Sequence, residues 1–365
     1  MGGFLVGKAI AVTGAGRGIG RAVALACAAE GAGVVVNDYG VSVDGSAPTS
    51  DVATAVAEEI EATGGRAVAL ADDVSTMAGG ARVVDAALSR YGRLDGVVCV
   101  AGILRERMLF NMTEEEWDPV LATHLKGTFT VFRAASAVMR RQGHGTLIGF
   151  TSGNHQGSVS QANYSAAKGG VISLVRSAAL GLRKYGVTAN CVAPVARTRM
   201  SAKVPVALAE IGDPEDVAAM VVYLLGEQAR AQGVTGQVYT VAGPKIAVWA
   251  QPRELRAAYT DGTWTPQKIA EILPGSVGTD PMPLLAAQPT ATDPSMAFPA
   301  TAAGGWPAAA GPGQQAATTP APKGTSGASD TTAASASASA SASVAESAAE
   351  GVPGGGRAAE GRGGL

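Results

Sequence analysis

Cysteine, charge and long apolar runs are all scarce in this chain of 365 residues. The three cysteines, Cys27, Cys99 and Cys191, lie far apart in apolar stretches, so neither a disulfide framework nor a metal site with paired-ligand spacing is expected. Thiols of this kind read as buried side chains in a reducing compartment, which makes a cytoplasmic protein the expectation. Charged residues make up 16 %, with 28 Lys and Arg against 30 Asp and Glu, and neither sign clusters. Such a surface offers no footing for nucleic acid or for a membrane surface. No run of about 18 apolar residues occurs, so no membrane span is expected. Residues 4–12 are interrupted by Gly7 and Lys8 and run into a glycine loop, which reads as a first strand and not as a signal peptide.

What the chain does have is alternation. Short β-branched runs at 9–12, 34–37, 67–70, 96–100, 146–150, 188–192 and 237–241 read as strands. Between them, 18–30, 51–62, 78–91, 114–141, 162–184 and 214–225 read as helices. Continuous apolar strands separated by helices imply a parallel sheet buried on both faces, and right-handed crossovers then give a doubly wound α/β fold of about seven strands. Thr113 with Glu116 fits a capping box, and Asp213-Pro214 and Thr265-Pro266 each place a cap before a first-turn proline. These readings divide the chain into a domain at 1–248 and an extension at 249–282 with one short helix, 267–273. From 283 to 365 large apolar residues nearly vanish, and 335–343 alternate Ala and Ser strictly. That segment has too little apolar surface to offset chain entropy and is expected to be a disordered, low-complexity tail.

The loop Thr13-Gly14-Ala15-Gly16-Arg17-Gly18-Ile19-Gly20 follows the first strand and opens the first helix. Glycines there allow a tight turn, close approach of a pyrophosphate to the backbone, and close packing of helix on sheet. The phosphates then meet free N–H groups at the helix N-terminus. Asp38 ends the second strand at the spacing expected of an acid that accepts from the adenosine ribose hydroxyls, which favours NAD. Arg17 pulls the other way, since a cation near that ribose suits the 2′-phosphate of NADP. Asp73, after the third strand, reads equally as an acceptor for the adenine amino group or as a helix cap.

Tyr164 and Lys168 lie one helical turn apart on one face. A phenol titrates near pH 10, and a nearby ammonium favours its ionised form, so the pair suits general acid–base work near neutrality. Thr151-Ser152 ends the fifth strand, where a hydroxyl faces the ligand cleft of such sheets and can bond a substrate oxygen as charge develops on it. Tyr-x-x-x-Lys alone is an ordinary helical spacing; the order of glycine loop, acid, hydroxyl, then Tyr and Lys gives it meaning.

From about residue 7 to 243 these residues resemble the short-chain dehydrogenase/reductase family, whose sheet is of Rossmann type. The likeness rests on the loop at 13–20, Asp73-Val74, Ala101-Gly102, Ser152, Tyr164-Ser165-Ala166-Ala167-Lys168, and Asn190 with Pro194. Within the family, Asn37-Asp38, Gly102-Ile103-Leu104-Arg105, His124-Leu125-Lys126-Gly127 and Gln161-Ala162-Asn163-Tyr164 are similar to the 3-hydroxyacyl-CoA dehydrogenase unit of peroxisomal multifunctional enzymes. Bacterial 3-oxoacyl-carrier-protein reductases share much of the pattern. The resemblance implies an NAD(P)-dependent oxidoreductase acting on a small-molecule or carrier-bound carbonyl/alcohol pair. Tyr164 would be its acid/base, Lys168 would bind the nicotinamide ribose, and Ser152 would hold the substrate oxygen. The cofactor, NAD with NADP as the alternative, would meet Gly14, Arg17, Gly18, Ile19, Gly20, Asp38, Asp73, Val74, Ala101, Gly102, Tyr164, Lys168, Pro194 and Thr198.

The chain departs from the family at named positions. Cys99-Val100 stands where the family has two asparagines, Val195 where glycine is usual, and His124 where an asparagine normally anchors a proton-relaying water. Imidazole can serve there, or the histidine can be a packed one. Ser152 lies one residue nearer Tyr164 than usual while Thr151 fits the strict count, so either hydroxyl is a candidate. These departures leave a second class of function, a nucleotide-binding scaffold without turnover. Residues 196–212, the family's substrate lid, are short, which implies a cleft open to a long or carrier-bound acyl chain. Helices 114–141 and 162–184 carry many small residues, and in the family they pack against their copies, implying a homodimer or homotetramer.

Overall fold

In a computed structural model of the chain, residues 3–201 and 211–286 are described. They form one eight-stranded sheet with the order β3-β2-β1-β4-β5-β6-β7-β8. Its strands are β1 (Ala9–Thr13), β2 (Gly33–Asn37), β3 (Arg66–Leu70), β4 (Gly96–Cys99), β5 (Gly145–Phe150), β6 (Val187–Pro194), β7 (Val238–Ala242) and β8 (Lys245–Val248). Neighbours from β3 to β7 pair in parallel. The expected doubly wound α/β architecture is present, with helices on both faces.

The two faces are separate apolar clusters, divided by the strict alternation of strand side chains. Ile10, Val12, Val34, Val36, Ile148 and Val192 pack with α1 (Gly18–Ala29), α2 (Asp51–Ala62) and α7 (Pro214–Leu225). Ala11, Val35, Val97, Leu147, Ala189 and Cys191 pack with α3 (Met77–Tyr91), α5 (Gly127–Gln142) and α6 (Ala162–Leu182). Sequence order reverses between β1 and β4, opening a crevice at the carboxyl ends of those strands.

Two elements differ from expectation. The segment 114–141 is not one regular helix: α4 (Glu114–Leu121) passes through a π-helical turn, Ala122–Lys126, into α5. Pro119 lies inside α4 and has no N–H to return to the Glu115 carbonyl; Arg105 Nη1 donates to that carbonyl at 2.5 Å instead. The sheet also has an eighth strand, antiparallel to β7, where about seven parallel strands were expected. Gly243, at φ 52°, and Pro244 make the two-residue reversal that lets Lys245 pair with Ala242.

The capping box at Thr113–Glu116 forms, with Glu116 Oε2 accepting the Thr113 N–H at 3.1 Å. Asp213 caps α7 ahead of Pro214, and Thr265 Oγ1 accepts from Lys268 N at the start of α9 (Pro266–Ile272). The short α8 (Glu227–Ala231) follows α7. Pro283–Ala286 makes a helical turn, α10; the expected tail lies outside the described residues from 287 onward, as does 202–210 of the expected lid.

Candidate active site

The loop after β1 closes on itself by contact. Gly14 has φ 66°, and a β-carbon there would lie 2.7 Å from the backbone of Ala101; one on Gly20 would lie 2.0 Å from the Gly14 carbonyl oxygen. Only bare backbone lets β1, the residues after β4 and the first turn of α1 meet this closely. Arg17 is the N-cap of α1 and its side chain does not cap the helix, so the first N–H groups face outward.

Beside this loop lies a cavity of about 330 Å³. Its lining includes Gly14, Arg17, Gly18, Ile19 and Gly20 from the loop. Asp38, Asp73 and Val74 come from beyond β2 and β3, Ala101 and Gly102 from beyond β4, and Thr198 from beyond β6. The carboxylate of Asp38 is held by two backbone donors, Gly16 N at 2.8 Å and Gly40 N at 2.7 Å. Arg17 Nη1 and Arg199 Nη2 both donate to the Val41 carbonyl at 3.2 Å, placing two cations beside that acid. Asp73 lines the cavity, yet its Oδ1 also accepts from Ser75 N at 2.9 Å, and Thr76 is the residue that caps α3.

Ser152, Tyr164, Lys168, His124 and Pro194 do not line that cavity; the first four form a second cluster. Ser152 begins a 3-10 turn, Gly153–Gln156, with its Oγ accepting from Asn154 N at 3.2 Å, and its hydroxyl is near enough to the Tyr164 phenol to favour the ionised form. Thr151 is buried, and its hydroxyl donates to the Lys168 carbonyl at 2.9 Å. Lys168 is 4 % exposed; its ammonium donates to the Phe150 carbonyl at 2.7 Å and lies 5.4 Å from the centre of the Tyr164 ring. Pro194 ends β6, and Val195 beyond it donates to Val241, extending the pairing with β7.

Electrostatics in this cluster run against expectation. Lys168 was expected to bring the Tyr164 phenol down. Burial instead pushes that phenol up to about 12, opposed only by the Ser152 hydroxyl. Burial pushes Lys168 itself down to about 7. A low-dielectric setting penalises each charged form.

His124 sits at the centre of the π-turn, 2 % exposed and edge-on to the Tyr164 ring with centroids 5.0 Å apart. Its Nε2 lies 2.8 Å from the Ile103 carbonyl oxygen and 3.2 Å from the Ile103 nitrogen. The shorter contact assigns the proton to Nε2, leaving Nδ1 as a buried acceptor without a partner among the described residues. Burial, reinforced by Lys168, holds this imidazole well below its usual range and therefore neutral.

Three supporting residues carry no signal in sequence spacing. Buried Asn163 donates from Nδ2 to the Arg105 and Glu116 carbonyls at 2.9 and 2.7 Å, and its Oδ1 accepts the Tyr164 N–H at 2.7 Å. It thereby fixes the start of α6 against α4. Asn37 bridges to both backbone groups of Asp72, holding the ends of β2 and β3 together above the cavity. Cys99, standing where the family has a polar side chain, is buried, and burial pushes its thiol up to about 12.

Residues 8–207 match the family described as short chain dehydrogenase. A hydroxyacyl-CoA dehydrogenase of Mycobacterium tuberculosis is 40 % identical over 286 residues, covering 74 % of this chain and 88 % of that protein. The mouse peroxisomal multifunctional enzyme type 2 is 42 % identical over 229 residues, covering 62 % of this chain and 31 % of that protein. A crystal structure of a short chain dehydrogenase from Mycobacterium avium is 44 % identical, with a TM-score of 0.66, covering 74 % of this chain and 94 % of that one.

Proposed function

The chain belongs to the short-chain dehydrogenase family, and on that premise we propose how its residues divide the work of moving a hydride between a nicotinamide cofactor and a carbonyl or alcohol carbon. It is an NAD(P)-dependent oxidoreductase. The cavity beside α1 fits a dinucleotide: a helix N-terminus without a side-chain cap, a loop with no room for β-carbons, and a carboxylate fixed by two backbone donors. Gly14, Gly18, Ile19 and Gly20 would hold its pyrophosphate, Asp38 its adenosine ribose, Asp73 and Val74 its adenine. Ala101, Gly102, Pro194 and Thr198 would follow it towards the nicotinamide. When bound, the cofactor supplies or takes up the hydride.

The chain's own groups handle the proton. Tyr164 Oη gives a proton to the substrate oxygen during reduction and takes it during oxidation. Ser152 Oγ donates a hydrogen bond to that oxygen, since the Thr151 hydroxyl is committed to Lys168. Lys168 binds the nicotinamide ribose and, when protonated, favours the phenolate. His124 is a positioning residue: its neutral Nδ1 offers an acceptor beside the Tyr164–Lys168 pair, in the place where the family uses an amide.

NAD is the preferred cofactor because the Asp38 carboxylate would oppose a 2′-phosphate, while Arg17 and Arg199 are already engaged by Val41. The substrate class is a 3-oxoacyl or 3-hydroxyacyl thioester, the class implied by the hydroxyacyl-CoA dehydrogenase relative. Exposed Phe129 on α5 and Leu180 on α6 support assembly into a homodimer or homotetramer through these helices. The three buried free thiols favour a reducing, cytoplasmic setting.

The observation that carries this reading is the Ser152–Tyr164 hydroxyl pair set against buried Lys168 at the carboxyl end of β5. Its test is NADH oxidation with acetoacetyl-CoA: turnover is expected in the native chain. A protein that binds NADH yet turns over no ketone, unchanged by Tyr164→Phe, is a scaffold instead.

A further inference from the structure

A second cavity, of about 450 Å³, opens where β6, β7 and β8 lie side by side. One of its lining residues is Gly153, so the groove starts one Cα step, about 3.8 Å, from Ser152, the proposed donor to the substrate oxygen. A β-carbon on Gly153 would meet nothing within 4 Å, so space is open there. The floor is a row across three strands: Ala193 pairs with Thr240, and Thr240 with Ala247. No side chain in that row is larger than threonine, so the sheet lies low along about two strand spacings, roughly 10 Å.

One wall is Trp249, the first residue beyond β8. Its backbone N–H bonds the Val238 carbonyl at 2.9 Å, its indole N–H donates to Thr240 Oγ1 at 2.8 Å, and the His155 ring meets it edge-on at 4.5 Å. The ring is therefore held in place with its one polar atom satisfied, and it presents an apolar face. Apart from Thr240 and exposed Lys245, the lining is apolar, with Val195 on the side of β6. A pantetheine arm would bring amide groups into this groove with few partners, a desolvation without return. An alkyl chain has no such groups.

We propose that this groove receives the acyl chain of the substrate, while the reacting carbonyl sits at Ser152 and Tyr164. The proposal rests on the thioester reading above and adds to it a preference for long chains, set by Trp249 and the row Ala193–Thr240–Ala247. It also gives the eighth strand a purpose, since β8 and Trp249 together supply the outer part of the groove.

The test compares kcat/KM for 3-oxododecanoyl-CoA and acetoacetyl-CoA in the full chain, in Ala247→Trp, and in Ile246→Trp. Ile246 lies on the opposite face of β8 and is 61 % exposed. The long-to-short ratio is expected to fall by roughly tenfold or more in Ala247→Trp and to hold in Ile246→Trp. Independently, dodecanoyl-CoA, which lacks the 3-oxo group, is expected to change the tryptophan fluorescence of the native chain but not of Trp249→Phe. A fluorescence response without turnover of either thioester would leave the groove standing and overturn the reaction reading. Turnover of acetoacetyl-CoA with an unchanged chain-length ratio in Ala247→Trp would overturn the groove alone. A change of oligomeric mass in Ala247→Trp with an unchanged ratio would assign the groove to a subunit contact, and overturns it equally.

Discussion

A β-carbon on Gly102 would stand 2.1 Å from His124 Cε1, so a bare backbone at 102 is what admits an imidazole at 124. The neutral ring, its bond to Ile103 and its edge contact with Tyr164 all depend on that space. Gly102→Ala is expected to destabilise the fold by about 1–3 kcal/mol through overpacking and to lower kcat. His124→Asn should relieve most of the clash. A double-mutant cycle in urea, with kcat measured on all four proteins, checks the pair; additive effects would show that the two residues do not constrain one another.

Tyr164→Phe removes the proton donor and keeps the ring, so kcat is expected to fall by about 10²–10⁴-fold with NADH affinity retained. Ser152→Ala is expected to lower kcat. Thr151→Val is expected to lower stability, because it removes a buried bond to the Lys168 carbonyl. If Thr151→Val proved the more damaging to kcat at equal stability, the assignment of the substrate-oxygen donor would pass to Thr151.

Cofactor choice is tested at Asp38. Asp38→Ala removes the carboxylate and leaves Arg17 and Arg199 next to the cavity, so NADPH is expected to gain on NADH by about tenfold or more. Fluorescence titration with each nucleotide measures this, and an unchanged ratio would remove Asp38 as the discriminating group.

Lys168 ties stability to pH. Its folded-state value of about 7 lies below the ordinary 10.5, so between those values the unfolded chain holds a proton that the folded chain does not. Stability contributed by this site therefore rises with pH across that window, with a limiting slope of about 1.4 kcal/mol per pH unit. Below pH 7 both states are protonated and the full cost of burying the ammonium remains. Lys168→Met removes the titration, although it leaves the Phe150 carbonyl without its donor. The native chain should lose stability relative to this variant as pH falls from 10 to 7, then run parallel to it; paired denaturation curves across that range measure the difference.

The parallel core of the fold was readable because its cause is local: β-branched runs, caps and glycines announce β1 to β7 and the helices between them. The meeting of the glycine loop and Asp38 at one cavity was readable for the same reason, since a loop after one strand and an acid at the end of the next are tied by chain spacing. What escaped depends on partners distant in sequence. The π-turn needs Pro119, Arg105 and the packing of His124 against Gly102 together. Asn163 draws its meaning from carbonyls 58 and 47 residues away. The four-residue β8 follows a Gly-Pro reversal and is too short to register as a periodic run. The upward shift of Tyr164 reflects enclosure, which residue order alone does not reveal.

The π-turn at Ala122–Lys126 has a further consequence, one of phase. Each residue advances a helix by about 100°, and a turn closed five residues on instead of four absorbs one residue beyond the regular count. Val120 before the turn and Val131, Ala135 and Val138 after it are all buried, and the wide turn between them is where His124 meets Tyr164. Deleting one residue here would let the helix close normally with the apolar stripe of α5 still facing inward, yet would turn the imidazole away from Tyr164. The extra residue thus serves the site and not the core, and a frame-preserving deletion of a single codon here should cost more activity than stability.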